Sequence, residues 1–434
     1  MVAPENSPSE DTNPERLSAH NAADSPIFES EDQESAQELD QFLDQALQTA
    51  QGEDAPRPHD GSSGNAAPPG PGLIESICWM FGVFGAHFIG IMLFLVCGVI
   101  YLIATSNISQ DPDTFRKEIA QLVEGHPLEA AGVEQAVFVF IGLIAVGLRL
   151  GKRPLQKLNL QPFAFSTGFL LFICVLPLAL MSGELYRIAF DAWSLVAKQI
   201  PILERFNEMQ TMEVVKDMAA NNSLWSLILV IAVFPAIGEE LVFRGMIGRG
   251  LIARWGLVPG IVITSIMFGI VHAHPAHVIA VIPLGMFMHY VYYVTRSFWA
   301  PMLVHFMNNA FAVSMAKMAT ELPESAASLG DETQPVHPLI VASAALFLTA
   351  VCVQLWKTRV KYMTPQGEEW TPGYPSIEQP PANSPVTMMR EKAHPLLYAT
   401  GVFLFLIFLV SMAAFSPQQE TVTAQPEAMQ LITF

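Results

Sequence analysis

Apolar and polar positions alternate along this chain in long blocks. From about residue 74 onward, nine apolar stretches recur, at about 74–104, 133–150, 163–182, 223–253, 257–273, 277–294, 299–317, 338–356 and 395–415. Each is close to the roughly 20 residues that a helix needs to cross a hydrocarbon core. The pattern predicts an all-α fold, a polytopic transmembrane helical bundle of about nine spans. Residues 1–72 behave differently. They are rich in Glu, Asp, Ser, Pro and Gly and read as a disordered acidic tail. Within the tail, Leu39, Phe42, Leu43, Ala46 and Leu47 share one helical face, so a helix over 34–50 could dock on a partner; a nascent helix without a partner explains the spacing as well.

The polar connections set an orientation. Arg149, Lys152, Arg153 and Lys157 follow the second span, Arg249 and Arg254 the fourth, and Arg296 the sixth, while Lys357, Arg359, Lys361, Arg390 and Lys392 lie between the eighth and ninth. All fall on one side if the N-terminus is cytoplasmic, which places the C-terminus outside. The opposite connections are more acidic than basic. In the long 183–222 connection, Glu184, Asp191, Glu204, Glu208, Glu213 and Asp217 outnumber Arg187, Lys198, Arg205 and Lys216, and the segment reads as one or two amphipathic helices at the outer interface. The expected organisation is a tail over 1–72, two spans and a basic loop over 73–160, a third span and outer loop over 161–222, a membrane core of four spans over 223–317, and two C-terminal spans joined by a cytoplasmic Pro-rich loop over 318–434.

Composition agrees. Apolar residues make up 51% and charged residues 14% of the chain, about half the charge of an average soluble domain. The net charge of −18 is concentrated in the tail, where fifteen acids face only Arg16 and Arg57. It argues against a nucleic-acid partner, which needs a basic face. Cys78, Cys97, Cys174 and Cys352 sit in apolar stretches without metal or redox spacing and read as small buried hydrophobes.

Ionisable residues inside a bilayer are costly and usually functional. They concentrate in spans four to seven. Span four holds Gly238-Glu239-Glu240-Leu241-Val242-Phe243-Arg244, span five ends Phe268-Gly269-Ile270-Val271-His272, and span seven holds His305-Phe306-Met307-Asn308-Asn309. Glu240 and Arg244, four apart with the acid first, can pair on one helical face. Glu239, turned about 100° away, is left as the free carboxylate. Phe268 and His272 share a face, as do His305 and Asn309. Glu239 lies about sixteen residues before a turn at Trp255-Gly256 and His272 about sixteen after it, so both lie roughly 24 Å of helix from that turn. His305 counts as roughly 10 Å shallower on a straight helix. Pro235 cannot donate to the Ile231 carbonyl, which predicts a kink four residues before Glu239.

Glu-Glu-x-x-x-Arg, Phe-x-x-x-His and His-x-x-x-Asn on successive membrane helices resemble the CPBP family of intramembrane proteases, which includes the CAAX prenyl endopeptidase and lysostaphin resistance protein-like relatives. The resemblance covers about residues 223–317. It implies that Glu239 and His272 hold and activate a water, that His305 and Asn309 stabilise the oxyanion, and that Glu240 and Arg244, with Phe268, support the site. The implied substrate is a membrane-embedded or lipid-anchored protein. Peptide hydrolysis needs such a base and such donors in any case. A required metal is not favoured. Zinc is the alternative cofactor, with His272, His305 and Glu239 as its ligands, while His274 and His277 read as a polar cap at the outer interface and His289 as a satisfied interior histidine. Two rival readings stand beside the protease: a non-catalytic membrane immunity or scaffold protein of the same fold, and a transporter, against which no internal repeat is visible.

Overall fold

A computed structural model of the chain describes residues 70–105, 111–200, 202–204, 211–321 and 335–415. The helix expected over 34–50 lies outside them. The nine apolar stretches all fall on helices. In chain order these are α1 (Leu73–Thr105), α2 (Pro112–Gly125), α3 (Pro127–Leu150), α4 (Pro154–Leu158), α5 (Phe165–Ala197), α6 (Thr211–Asn221), α7 (Leu224–Trp255), α8 (Leu257–Ile270), α9 (Pro275–Thr295), α10 (Trp299–Glu321), α11 (Pro338–Lys357) and, last, α12 (Pro395–Phe415). Among the described residues, seven helices are long and apolar enough to cross a bilayer. The two predicted spans outside that set differ for separate reasons. α8 has only 14 residues, and α10 interrupts its apolar face with His305, Asn308, Asn309 and Lys317.

The protein is an integral, multi-pass membrane protein. α1 and α12 at the periphery leave large apolar side chains such as Phe81, Phe88, Ile89, Phe403 and Val410 uncovered. In water this surface would drive association; against lipid it is the expected exterior. The inner helices α7 and α9 bury most of their side chains, and Phe243, Met246, Ile247, Met288, Val291 and Tyr292 are fully enclosed.

Two connections differ from expectation. The third span does not stop near residue 182. α5 continues to Ala197, about 50 Å of helix, because Arg187 pairs with Glu184 and Asp191 along its own polar stripe and the aromatic run Tyr186, Phe190, Trp193 packs over the α8–α9 turn. Thr211–Asn221 forms a separate short helix in that segment, and residues 202–204 are helical as well. The segment between α11 and α12 is a folded cap rather than an open loop. β1 (Val360–Met363) pairs antiparallel with β2 (Thr387–Arg390), the one sheet among the described residues.

The cap is tied to the core by buried polar contacts. Asn159, held at φ 56° and fully buried, donates to the Tyr362 hydroxyl and the Ile377 carbonyl, each at 2.9 Å. Arg249 pairs with Glu378. Arg296 donates to the carbonyls of Val360 and Ser376 and to Glu369. The basic loops read as one side of the membrane thus meet the cap at one end of the bundle.

Candidate active site

α7 supplies the acids. It is not a uniform helix. Wide, i→i+5 turns at Ile228–Val233 and Phe243–Gly248 bracket a regular α-helical piece, Phe234–Val242, that carries Glu239 and Glu240. Such widened turns cluster at functional positions. Pro235 sits at the start of the regular piece, directly after the first wide turn, so the predicted disturbance is spent there. Asn309 on α10 donates its side-chain amide to the Ile231 carbonyl, 3.1 Å away.

Glu240 and Arg244 pair across one turn at 2.8 Å, both fully enclosed. Arg244 also donates to the Gly285 carbonyl of α9 at 3.1 Å, and its guanidinium lies 4.4 Å above the Phe268 ring. His305 stands between the two acids. Its Nδ1 is 2.9 Å from Oε1 of Glu240 and its Nε2 is 3.8 Å from Oε2 of Glu239. That Glu239 oxygen is buried and makes no hydrogen bond within the protein.

The depth mismatch expected for His305 has a physical explanation. Phe298, just before α10, packs beside Gly245, which lies ten residues inside α7 from Trp255, or roughly 15 Å up the bundle. The α9–α10 connection therefore starts inside the protein. Arg296, at φ 46°, and the fully buried Ser297 make its irregular backbone. Its polar groups are satisfied by Asn159, Gln161 and the cap, as non-helical backbone at membrane depth requires. Seven more residues of rise bring His305 level with Glu240.

His272 lies just past the end of α8, in a tight turn that includes Ala273 at φ 62°. Its Nδ1 faces the Phe268 carbonyl at 3.0 Å, which leaves Nε2 as the outward nitrogen. Its ring meets Phe268 edge-on at 5.0 Å, and Phe268 meets His305 at 6.0 Å. Phe268 is thus the shared wall of Arg244, His272 and His305. The structure brings Glu239, Glu240, Arg244, Phe268, His272 and His305 together. Asn309, one turn beyond His305, is turned to the Ile231 carbonyl.

The remaining histidines differ from the sequence reading. His274 is not an exposed cap but is buried against Tyr186, Phe190 and Trp193 of α5, while His277 lies 4.8 Å from His272, ring to ring. His289 is interior, as expected, but neither ring nitrogen is hydrogen-bonded by the protein. No three His, Cys, Asp or Glu side chains among the described residues converge as a metal site. Glu239, His272 and His305 are not gathered around one point: Nε2 of His305 lies 3.8 Å from Glu239, while Phe268 packs between the His305 and His272 rings.

The sequence reading missed two further intramembrane groups, His87 of α1 and Glu134 of α3, whose side chains approach to 2.9 Å. The signal was present, since each is an ionisable residue inside an apolar stretch. An apolar cavity of about 540 Å³ between α5, α8, α9 and α11, lined by Leu178, Ile261, Leu284, Phe287 and Tyr290 among others, touches none of the site residues.

Comparison with known proteins converges on the same stretch. Residues 221–311 match the family model described as Type II CAAX prenyl endopeptidase Rce1-like. A Bacillus subtilis (strain 168) protein named "Putative membrane peptidase YdiL" is 33% identical over 89 residues, which cover 20% of this chain and 36% of that protein. The chain thus spans about a third of the length of this curated relative. No solved structure matches the chain. Residues 221–311, which hold Glu239, His272, His305 and Asn309, are thus the part of the chain that is similar to the Rce1-like CAAX prenyl endopeptidases and to this membrane peptidase.

Proposed function

We propose that this protein is an intramembrane endopeptidase that hydrolyses a peptide bond of a membrane-associated protein or peptide. The observation that carries this reading is the placement of His305 between Glu240 and Glu239 inside the membrane core, with one Glu239 oxygen left without a protein partner.

Each group has a task that fits its surroundings. Glu239 removes a proton from water as the water oxygen attacks the scissile carbonyl carbon. His272, with Nδ1 turned to its own helix, presents Nε2 to orient that water. His305, fixed by Glu240, and Asn309, which keeps a second amide hydrogen beyond its bond to Ile231, donate to the oxyanion. When the tetrahedral intermediate collapses, the C–N bond breaks and the proton held by Glu239 passes to the leaving amine. Glu240 and Arg244 hold the geometry, with Arg244 locked to α9 through Gly285 and to α8 through Phe268. No metal enters this scheme. The substrate is membrane-embedded or lipid-anchored, because the reacting groups open within an apolar bundle. The bilayer itself is the second partner.

The test compares wild type with Glu239→Gln in proteoliposomes, using two substrates: a prenylated peptide ending in a CAAX sequence and an unmodified transmembrane peptide. Cleavage of either by wild type and of neither by Glu239→Gln is the expected result. Equal cleavage by both proteins overturns the glutamate-base mechanism. Cleavage of neither by wild type, with the protein folded and reconstituted, favours the non-catalytic reading.

A further inference from the structure

α1 and α3 cross at Gly90. A Cβ there would lie 2.5 Å from the Glu134 Cα, so only glycine allows the approach. One turn earlier, this crossing sets His87 beside Glu134, with Nδ1 2.9 Å from Oε1 but out of line for a hydrogen bond. About a quarter of each side chain is exposed. The next residue, Gln135, lies on the stripe of α3 that packs on α7, between Gly132 over Val230 and Phe138 against Gly238. Its Oε1 is buried and makes no hydrogen bond within the protein.

Depth and contact connect this cluster to the candidate site. Glu75 and Arg149 pair at one end of the α1–α3 hairpin. His87 is twelve residues from Glu75 and Glu134 fifteen from Arg149, so both sit roughly 20 Å in. Glu239 lies at a similar level, roughly 24 Å from the α7–α8 turn. The His87 ring stacks on Phe138 at 4.5 Å, and Phe138 abuts Gly238, the neighbour of Glu239. Two contacts therefore separate His87 from Glu239.

A carboxylate and an imidazole at this depth, partly uncovered and imperfectly paired, are not tolerated against acyl chains. Ordered water normally completes such groups. We propose that His87, Glu134 and Gln135 line a hydrated port between α1, α3 and α7 through which the hydrolytic water reaches Glu239. The supply role rests on the endopeptidase reading; the hydration does not. A port of this kind answers a need of the chemistry, since a bundle that buries its base in hydrocarbon must still admit one water per bond cleaved.

The experiment separates the two statements. The full-length protein, with its four cysteines replaced by alanine, receives one cysteine at a time in native membranes and is treated with a charged, membrane-impermeant methanethiosulfonate. Only a thiolate in contact with water reacts. His87→Cys is modified and Ile89→Cys, two residues along α1 and facing outward, is not. Protection of His87→Cys, or equal reaction at both positions, overturns the port. The labelling reads the same whether or not the protein cleaves peptides. For the supply role, His87→Phe lowers kcat in the cleavage assay with KM unchanged, and His87→Gln, which keeps a polar group, restores it. Full activity of His87→Phe overturns that role, and so does a loss seen only in KM.

Discussion

The side-chain amide of Asn309 donates to the Ile231 carbonyl at 3.1 Å, the carbonyl that a regular helix would have bonded to residue 235. Pro235 has no N–H to offer, so α10 completes what α7 lacks. This gives Asn309 a structural duty beside any oxyanion contact. Asn309→Ala is expected to lower stability by about 1 kcal/mol, the scale of a side-chain hydrogen bond in a membrane protein, and to cut cleavage by about 10²–10³ while leaving some. Pro235→Ala supplies an N–H near Ile231 and should shrink the stability cost but not the loss of activity. A double-mutant cycle on thermal unfolding in detergent measures this. Strict additivity of the two substitutions would show that the contact carries no energy.

Glu240 and Arg244 form an enclosed ion pair, and Glu240 also fixes His305. Removing one partner of a buried pair leaves an uncompensated charge, at a cost of roughly 3–5 kcal/mol. Glu240→Ala is therefore expected to reduce the yield of folded protein in the membrane. Arg244→Lys should fare little better. An ammonium is a compact point charge and cannot span Glu240 and the Gly285 carbonyl while stacking on Phe268. Thermal unfolding of both variants indistinguishable from wild type would remove this pair from the architecture of the site.

Glu239 contrasts with its neighbour. Nothing in the protein hydrogen-bonds its buried oxygen, and its nearest ionic contact, to His305, is 3.8 Å. Glu239→Gln is thus expected to fold with wild-type stability while losing cleavage by about 10²–10⁴ or more, the usual loss for a positioned acid–base group. His272→Ala should lose a similar factor. Single-turnover assays on purified, folded protein supply the comparison. A Glu239→Gln protein that unfolds early would assign this residue a structural role instead.

The sequence carried the helices and the Glu240–Arg244 pairing of α7 well, because both depend on local spacing. Glu240 and Arg244 are one turn apart, and the turn at Gly256, at φ 84°, needed only a glycine after a basic end. His305 could not be placed by counting residues. Its depth depends on where the α9–α10 connection begins, and that is set by Phe298 packing beside Gly245 and by the cap holding Arg296, contacts distant in sequence. The same is true of the cap. A Pro-rich segment gives no period to read, and its folding rests on Asn159 and Arg296 bonding to backbone carbonyls. His87 and Glu134 were legible as intramembrane ionisable residues, but only the crossing at Gly90 shows that they meet. The Gly285 carbonyl as an Arg244 partner has no sequence signal.

Arg296 gives the cap its most exacting test. Its side chain is 4% exposed and donates to Val360, Ser376 and Glu369, while its own backbone at φ 46° turns the chain from α9 into α10. Arg296→Ala leaves two carbonyls short of a donor, at about 1–3 kcal/mol for each that stays buried. The cap, anchored mainly by such bonds, is expected to loosen before the helices do. In sealed vesicles, trypsin should then cut near Lys361 or Arg390 in the variant faster than in wild type. The positive-inside rule predicts a cytoplasmic face for the basic loops gathered at this end, so cutting is expected in inside-out vesicles and not in right-side-out ones. Because the cap fixes where α10 starts, and so the depth of His305, the variant should also lose cleavage although Arg296 touches none of the reacting groups. Unchanged trypsin cutting and unchanged cleavage together would show that the cap is dispensable for the site, and cutting from the opposite face would invert the orientation.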